Sequence, residues 1–339
     1  MKKVDIYNHI FPKSYLEKMT EVAGDHRDLG KRVRNIPMLA DLDERFRVMD
    51  QFEDYCQILS VPAPPPEVLA GPDIAPDLAR RANDGMAELC AKYPERFPGF
   101  TATLAMNNMD AVIEEIHRSI KDLGAKGVEF YTNVKGRPLD EPEFEPVFQI
   151  MAEEYDLPIW VHPIRGAGFA DYPSEDTSKY EIWWTLGWPY ETSVFMARVV
   201  FAGYFDKYPN LKIITHHLGG MIPYFEGRVG PGWDQLGSRT SGEDLTKVLK
   251  RLKKRPLDYF HQFYADTAVF GSLAATKCGL AFFGADHVVF ASDAPFDPEG
   301  GPMYIRQTIE IIDGLDITDA ERAMIYQGNA EKLLKIELG

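Results

Sequence analysis

Short apolar runs, separated by longer stretches of helical period, organise this chain. The runs Val4–Ile10, Tyr55–Val61, Phe97–Leu104, Gly127–Tyr131, Leu157–His162, Leu211–His216, Gln262–Asp266 and His287–Ala291 mostly lack the alternation of a half-solvated strand. Uninterrupted apolar runs suit a parallel sheet covered on both faces. Helical periodicity marks Asp43–Phe52, Ile74–Tyr93, Met109–Lys121, Pro142–Tyr155, Glu191–Phe205, Gly271–Cys278 and Tyr304–Ile312. Asn108 with Asp110 and Glu141 with Pro142 read as helix starts, and Lys121 followed by Gly124 as a helix end. Eight strands alternating with helices predict an α/β fold, a distorted (β/α)8 barrel of the TIM type. An open doubly wound sheet would use the same elements, but Asn-His-Ile-Phe-Pro stands where its glycine-rich turn would follow the first strand.

Three stretches interrupt the rhythm. Residues 12–41 carry the breakers Gly24, Gly30 and Pro37 around the cluster Asp25-His26-Arg27-Asp28 and read as a loop able to cover a barrel mouth. Residues 164–190 are rich in glycine and aromatics, with Phe169, Tyr172, Tyr180, Trp183, Trp184, Trp188 and Tyr190. A segment of that length without strong period is often functional. Residues 229–256 are mixed in charge. The expectation is one barrel domain over 1–339, with loop and helical insertions at these three places.

Composition narrows the function. The 52 Asp and Glu outnumber the 37 Lys and Arg, for a formal net charge of −15, and no basic stripe offers a nucleic-acid footprint. Three scattered cysteines, Cys56, Cys90 and Cys278, suggest neither a disulfide framework nor a thiolate metal site, and they suit a reducing, cytoplasmic setting. The opening MKKVDIYNHIFPKS acquires polar residues before an apolar core of signal length, so neither secretion nor membrane spanning is expected. Only eight histidines are present, which makes any imidazole-based site countable.

Several of them fall where strands end. His9, His162, His216, His217, Asp266 and Asp293 all sit at or just beyond the ends of predicted strands, which meet around one mouth in a barrel. Imidazole and carboxylate together suit zinc, manganese or iron, although any single one of these residues could be a hydrogen-bonded core or turn residue. His26, His117, His261 and His287 lack this address and read as surface or packing residues.

The segments VDIYNHIFP, LPIWVHP, KIITHHLGGMIPYFEGR and ADHVVFASDAPF, with GNAEKLL near the end, resemble the amidohydrolase superfamily. Within it they are most similar to the metal-dependent nonoxidative decarboxylases, the branch that includes gamma-resorcylate and aminocarboxymuconate-semialdehyde decarboxylases. The resemblance implies one divalent metal ion, zinc or manganese, held by His9, His162 and Asp293, with His217 as the histidine that exchanges or positions a proton. It departs at Tyr7, where close relatives commonly place histidine or glutamate. Tyr7 shares a strand face with His9, but a phenol with a reference pKa of about 10 is a poor ligand. The expected site therefore has three protein ligands, with Tyr7 supplying a hydrogen bond; a weakened site, or a chain that has left metal chemistry, is the alternative.

The resemblance further implies that Arg45 and Arg228 bind a substrate carboxylate, the second across a dimer interface, and salt bridges would explain both equally. Arg165 is a further anion-binding candidate, and Trp184 and Trp188 could wall a ring or pack between subunits. The expected activity is nonoxidative decarboxylation of an aromatic or conjugated unsaturated carboxylic acid, with Asp293 or a nearby acid delivering a proton to carbon. A metal-dependent hydrolase or hydratase of a lactone, amide or conjugated acid uses nearly the same residues. A noncatalytic aromatic-acid binding protein is the remaining class. The expected assembly is a homodimer or higher homo-oligomer.

Overall fold

The computed structural model describes residues 1–23, 35–241 and 244–338. The charged cluster Asp25-His26-Arg27-Asp28 lies outside them.

All eight predicted strands are present, most of them shorter than predicted. In chain order they are β1 (Lys3–His9), β2 (Tyr55–Ser60), β3 (Gly99–Phe100), β4 (Ala102–Thr103), β5 (Val128–Tyr131), β6 (Asn133–Val134), β7 (Arg137–Pro138), β8 (Ile159–His162), β9 (Ile213–Thr215), β10 (Tyr264–Asp266) and β11 (Val288–Val289). One run, β1-β2-β3, and a second, β11-β10-β9-β8-β5-β4, are parallel throughout, and β6 and β7 form a separate antiparallel pair. The single run expected at 97–104 divides because it changes partner: β3 pairs with β2, β4 pairs with β5, and the intervening Thr101 amide donates to Leu59. At the other seam the Ile6 and His9 amides donate to Phe290 and Ala294, and the Asp293 amide donates to Tyr7. These bonds close the ring, giving a distorted eight-stranded barrel.

Local chemistry explains the helix limits. Met109–Lys121 starts on the Asn108 side chain, which accepts from the Ala111 amide, and Leu42–Met49 starts on Asp41 in the same way. The helix expected from Pro142 begins instead at Glu145, and its hydrogen bonding widens over Ile150–Tyr155 before Asp156 turns left-handed. The helix expected at 191–205 starts at Gly187, ends at Ala202, and is followed by a separate turn, Tyr204–Lys207, because Gly203 adopts φ +79°. That expected at 271–278 runs over Leu273–Phe283, capped by Ser272.

The interior holds Tyr7, Ile58, Trp160, Ile214, Val289 and Ala291, with Leu333 and Leu334 of the last helix in the same apolar cluster. β2 is buried at every position, its polar Gln57 and Ser60 included, as a strand covered on both faces must be. No helix among the described residues is long and apolar enough to cross a membrane.

Candidate metal centre

The strand ends converge as their sequence positions implied. Ligand atoms of His9, His162 and His216 lie within 4.8 Å of one another, as do those of His216, His217 and Asp293. All five residues are buried. The His9 Nε2 lies 3.0 Å from Asp293 Oδ1, joining residues at opposite ends of the chain, and His216 Nε2 lies 3.4 Å from the same oxygen.

The backbone beyond β9 is unusual. His217, Leu218, Gly219 and Gly220 all have positive φ, between 53° and 74°. Two of them are glycine for a steric reason as well. A Cβ on Gly219 would lie 2.6 Å from the Phe283 ring, and one on Gly220 would lie 2.4 Å from the Pro189 carbonyl oxygen. This left-handed turn lets both His216 and His217 reach the mouth although they are adjacent in sequence, their rings 3.7 Å apart between centroids. Asp293 also sits at φ +62°, and such strained positions concentrate at functional sites.

Each imidazole is oriented through its Nδ1. His9 Nδ1 donates to Ser60 Oγ at 3.1 Å, which itself donates to the Asn8 carbonyl. His162 Nδ1 donates to the Pro163 carbonyl at 2.6 Å, His216 Nδ1 to Asp266 Oδ2 at 2.5 Å and His217 Nδ1 to the Ala268 carbonyl at 2.7 Å. Every partner is an acceptor, so in the neutral rings Nδ1 carries the hydrogen and Nε2 offers a lone pair. His216 Nε2 is buried without a hydrogen-bond partner. Bare imidazole nitrogens gathered beside a carboxylate repel one another unless a cation lies between them, so the donor set fits a divalent metal.

Proton affinities follow the same geometry. Burial, reinforced by the charge of His216, pushes His217 down to about 4, and burial together with its imidazole neighbours drives His162 well below the usual range. Burial also lowers His9. Burial opposes a charge on His216 too, but Asp266 and Asp293 outweigh it and push this histidine up to about 10, so a divalent ion at its Nε2 would have to displace a proton. Burial works against an ionised Asp293, yet His216 and His9 hold its carboxyl well below the ordinary carboxylate range.

The remaining expected residues divide. Trp188 stands beside the centre, its ring 5.2 Å from that of His162, with its indole donating to the Arg165 carbonyl. Trp184 is a step further out, 6.4 Å from Trp188, its indole donating to Glu181. Arg165 pairs with Glu191 at 2.9 Å and lies over the Phe169 ring. Tyr7 packs against three of the imidazoles, but its hydroxyl donates to Glu129 at 2.6 Å.

Arg45 is placed otherwise than the resemblance implied. It is fully buried, donating to Asn8 Oδ1, Gln57 Oε1 and the carbonyls of His9 and Met38, so its fork braces β1 where a substrate carboxylate was expected to meet it. Arg228 is exposed on a cavity of about 560 Å³ with Tyr190, Met221, Phe225 and Trp233, and none of the four imidazoles lines that cavity. His117, His261 and His287 make local contacts with Tyr155, Phe282 and Tyr264.

Sequence reasoning left His216 out of the ligand set and missed Phe270, Phe296 and Tyr131, whose rings lie 5.1, 5.5 and 5.1 Å from those of His217, His9 and His162. The signal for Phe296 was present in SDAPFD, three positions beyond Asp293. His216 shared the strand-end address, but neighbours on a regular strand point to opposite faces, and only the left-handed turn lets both members of the His-His pair face inward.

Comparison with known proteins agrees with this geometry. A family model described as Amidohydrolase matches residues 8–336. The chain is 32% identical over 310 residues to gamma-resorcylate decarboxylase of Rhodococcus jostii (strain RHA1), covering 87% of this chain and 88% of the relative. It is 29% identical over 350 residues to 2-amino-3-carboxymuconate-6-semialdehyde decarboxylase of Dictyostelium discoideum, covering 99% and 92%. A crystal structure of dihydroxybenzoic acid decarboxylase from Polaromonas sp. JS666, with bound manganese and the inhibitor 2-nitroresorcinol, superposes with a TM-score of 0.77 at 28% identity, covering 98% of this chain and 97% of the other.

Proposed function

Because the chain belongs to the amidohydrolase family, we propose that it is a metal-dependent nonoxidative decarboxylase, a carbon–carbon lyase acting on a small aromatic or conjugated unsaturated carboxylate. The observation that carries this reading is the gathering of imidazole lone pairs beside Asp293 at the barrel mouth, walled by Trp188 and Phe296. His9, His162 and Asp293, joined by His216, would hold the ion, zinc or manganese. Bound there, the ion would orient the substrate and offset developing negative charge.

The chain's own residues supply the rest. Loss of carbon dioxide leaves an electron pair on the ring or chain carbon, which must receive one proton. Asp293, held ionised by its neighbours, first accepts that proton from a substrate hydroxyl or from water and then delivers it to carbon. His217, neutral with its Nδ1 hydrogen fixed on Ala268, accepts a hydrogen bond at Nε2 and so positions the group that loses or gains the proton. Trp188 and Phe296 hold a flat substrate and exclude water, and Trp184 and Arg165 line the approach. Tyr7 acts from behind the imidazoles.

The chain is further read as a homo-oligomer working in the cytoplasm. Exposed Tyr190, Tyr224 and Phe225 near Arg228 support the first reading, and three free cysteines the second. Light scattering on the purified protein tests the assembly.

The test of function is manganese and zinc reconstitution followed by a panel of hydroxylated aromatic and conjugated carboxylates, with carbon dioxide and substrate loss measured together. Metal-dependent carbon dioxide release that disappears in His162→Ala is expected. Water incorporation without carbon dioxide release would move the assignment to a hydrolase or hydratase, and stoichiometric binding without turnover would move it to a binding protein.

A further inference from the structure

Behind the imidazoles lies a carboxylate that the reading of strand ends passed over. Glu129 stands on β5 opposite Trp160 of β8, two residues before Tyr131, which is opposite His162. It is completely buried. Its Oε1 accepts from the Tyr7 hydroxyl, and its Oε2 has no hydrogen-bond partner. The Tyr7 ring in turn contacts three imidazoles, with centroids 4.1 Å from His216, 5.3 Å from His9 and 6.0 Å from His162.

A carboxylate in a barrel interior with one oxygen bare is costly unless positive charge lies nearby. Burial accordingly pushes Glu129 up to about 8, so a full negative charge there requires a cation among the imidazoles it backs. We propose that Glu129 is a positioning residue of the metal centre: it fixes the Tyr7 phenol so that its ring packs against His9, His162 and His216, and it supplies negative charge behind them. Three neutral imidazoles and one carboxylate leave a bound dication with net positive charge, and Glu129 offsets it from one aromatic ring away. The chain thereby makes up for the first-strand ligand replaced by Tyr7. This inference rests on the reading above only in that a divalent ion binds; turnover is not required.

The experiment measures Mn²⁺ affinity by chelator competition in the full-length protein, with thermal midpoints recorded alongside. Glu129→Gln keeps an acceptor for the Tyr7 hydroxyl and removes the charge, so a purely structural prop would leave metal affinity unmoved. The expected result is a loss of about tenfold or more, with Glu129→Asp restoring the affinity to within about threefold of the wild type. Tyr7→Phe, which keeps the ring but strips the buried carboxylate of the hydroxyl that holds it, is expected to lose affinity too, by less than Glu129→Gln. Wild-type affinity in a folded Glu129→Gln overturns the proposal. Should Glu129→Gln fail to fold, Tyr7→Phe decides: a loss of about threefold or more upholds the coupling of Glu129 to the centre through Tyr7, whereas wild-type affinity overturns it. A wild-type protein that binds Mn²⁺ but releases no carbon dioxide would refute the decarboxylase assignment and leave this result standing.

Discussion

Asp266→Asn tests the assignment of His216 to the ligand set. Asp266 Oδ1 accepts from the backbone amides of His217 and Ala268, both at 3.0 Å, while Oδ2 takes the Nδ1 hydrogen of His216. Asparagine has only one acceptor oxygen. If that oxygen stays on the two amides, the NH₂ group faces His216 Nδ1, and the ring must move its hydrogen to Nε2, where it blocks ligation. If the side chain flips, two buried amides lose their acceptor, at about 1–3 kcal/mol each. The first arrangement is therefore favoured, and it removes one ligand with no large loss of fold. Disruption of a ligand-orienting group costs roughly 10-fold to 100-fold in metal affinity, equivalent to about 1.4–2.8 kcal/mol. Calorimetric titration of the metal-free protein with Mn²⁺ measures this directly, and thermal unfolding in chelator separates it from stability. An Asp266→Asn protein that binds Mn²⁺ within about threefold of the wild type would refute both the tautomer argument and the place of His216 among the ligands.

Other consequences are separable from that one. Glu67 is buried with Oε2 unpartnered, and burial raises its carboxyl from 4.5 to about 7. A raised acid contributes its stability below the unfolded pKa and loses it as pH climbs through the folded one, so Glu67→Gln should gain on the wild type between about pH 4.5 and pH 7, by up to about 3 kcal/mol. Urea denaturation at about pH 4.5 and pH 8 checks this, and a pH-independent difference would contradict it. Arg45→Lys removes the fork that serves four acceptors and is expected to cost roughly 2–3 kcal/mol of stability while leaving KM unchanged; a raised KM with an unaltered melting point would return Arg45 to the substrate. Gly220→Ala places a Cβ against the Pro189 carbonyl at φ +62° and should destabilise by roughly 1–3 kcal/mol, seen as a lower thermal midpoint; an unchanged midpoint would show that the turn can relax.

The barrel was legible because buried parallel strands leave runs such as YCQILS, in which no position can face water. Boundaries were less so: the length of a helix depends on where a residue such as Gly203 turns left-handed, and that residue sits within an otherwise continuous pattern. His9, His162, His217 and Asp293 were readable from strand-end position. Arg45 was misplaced because its address beside β1 is equally good for bracing the strand, and only burial tells the two apart. Glu129 escaped notice because a glutamate inside a strand reads as its solvent face, whereas β5 has no solvent face.

The two seams of the barrel give the site a history in time. His9 belongs to the first strand and Asp293 to the segment after the last, and the bonds of Ile6, Tyr7 and His9 to that segment are what shut the ring. The binding site therefore comes into being only with the final act of closure. Metal capture by His9 and Asp293 together would then report a closed barrel.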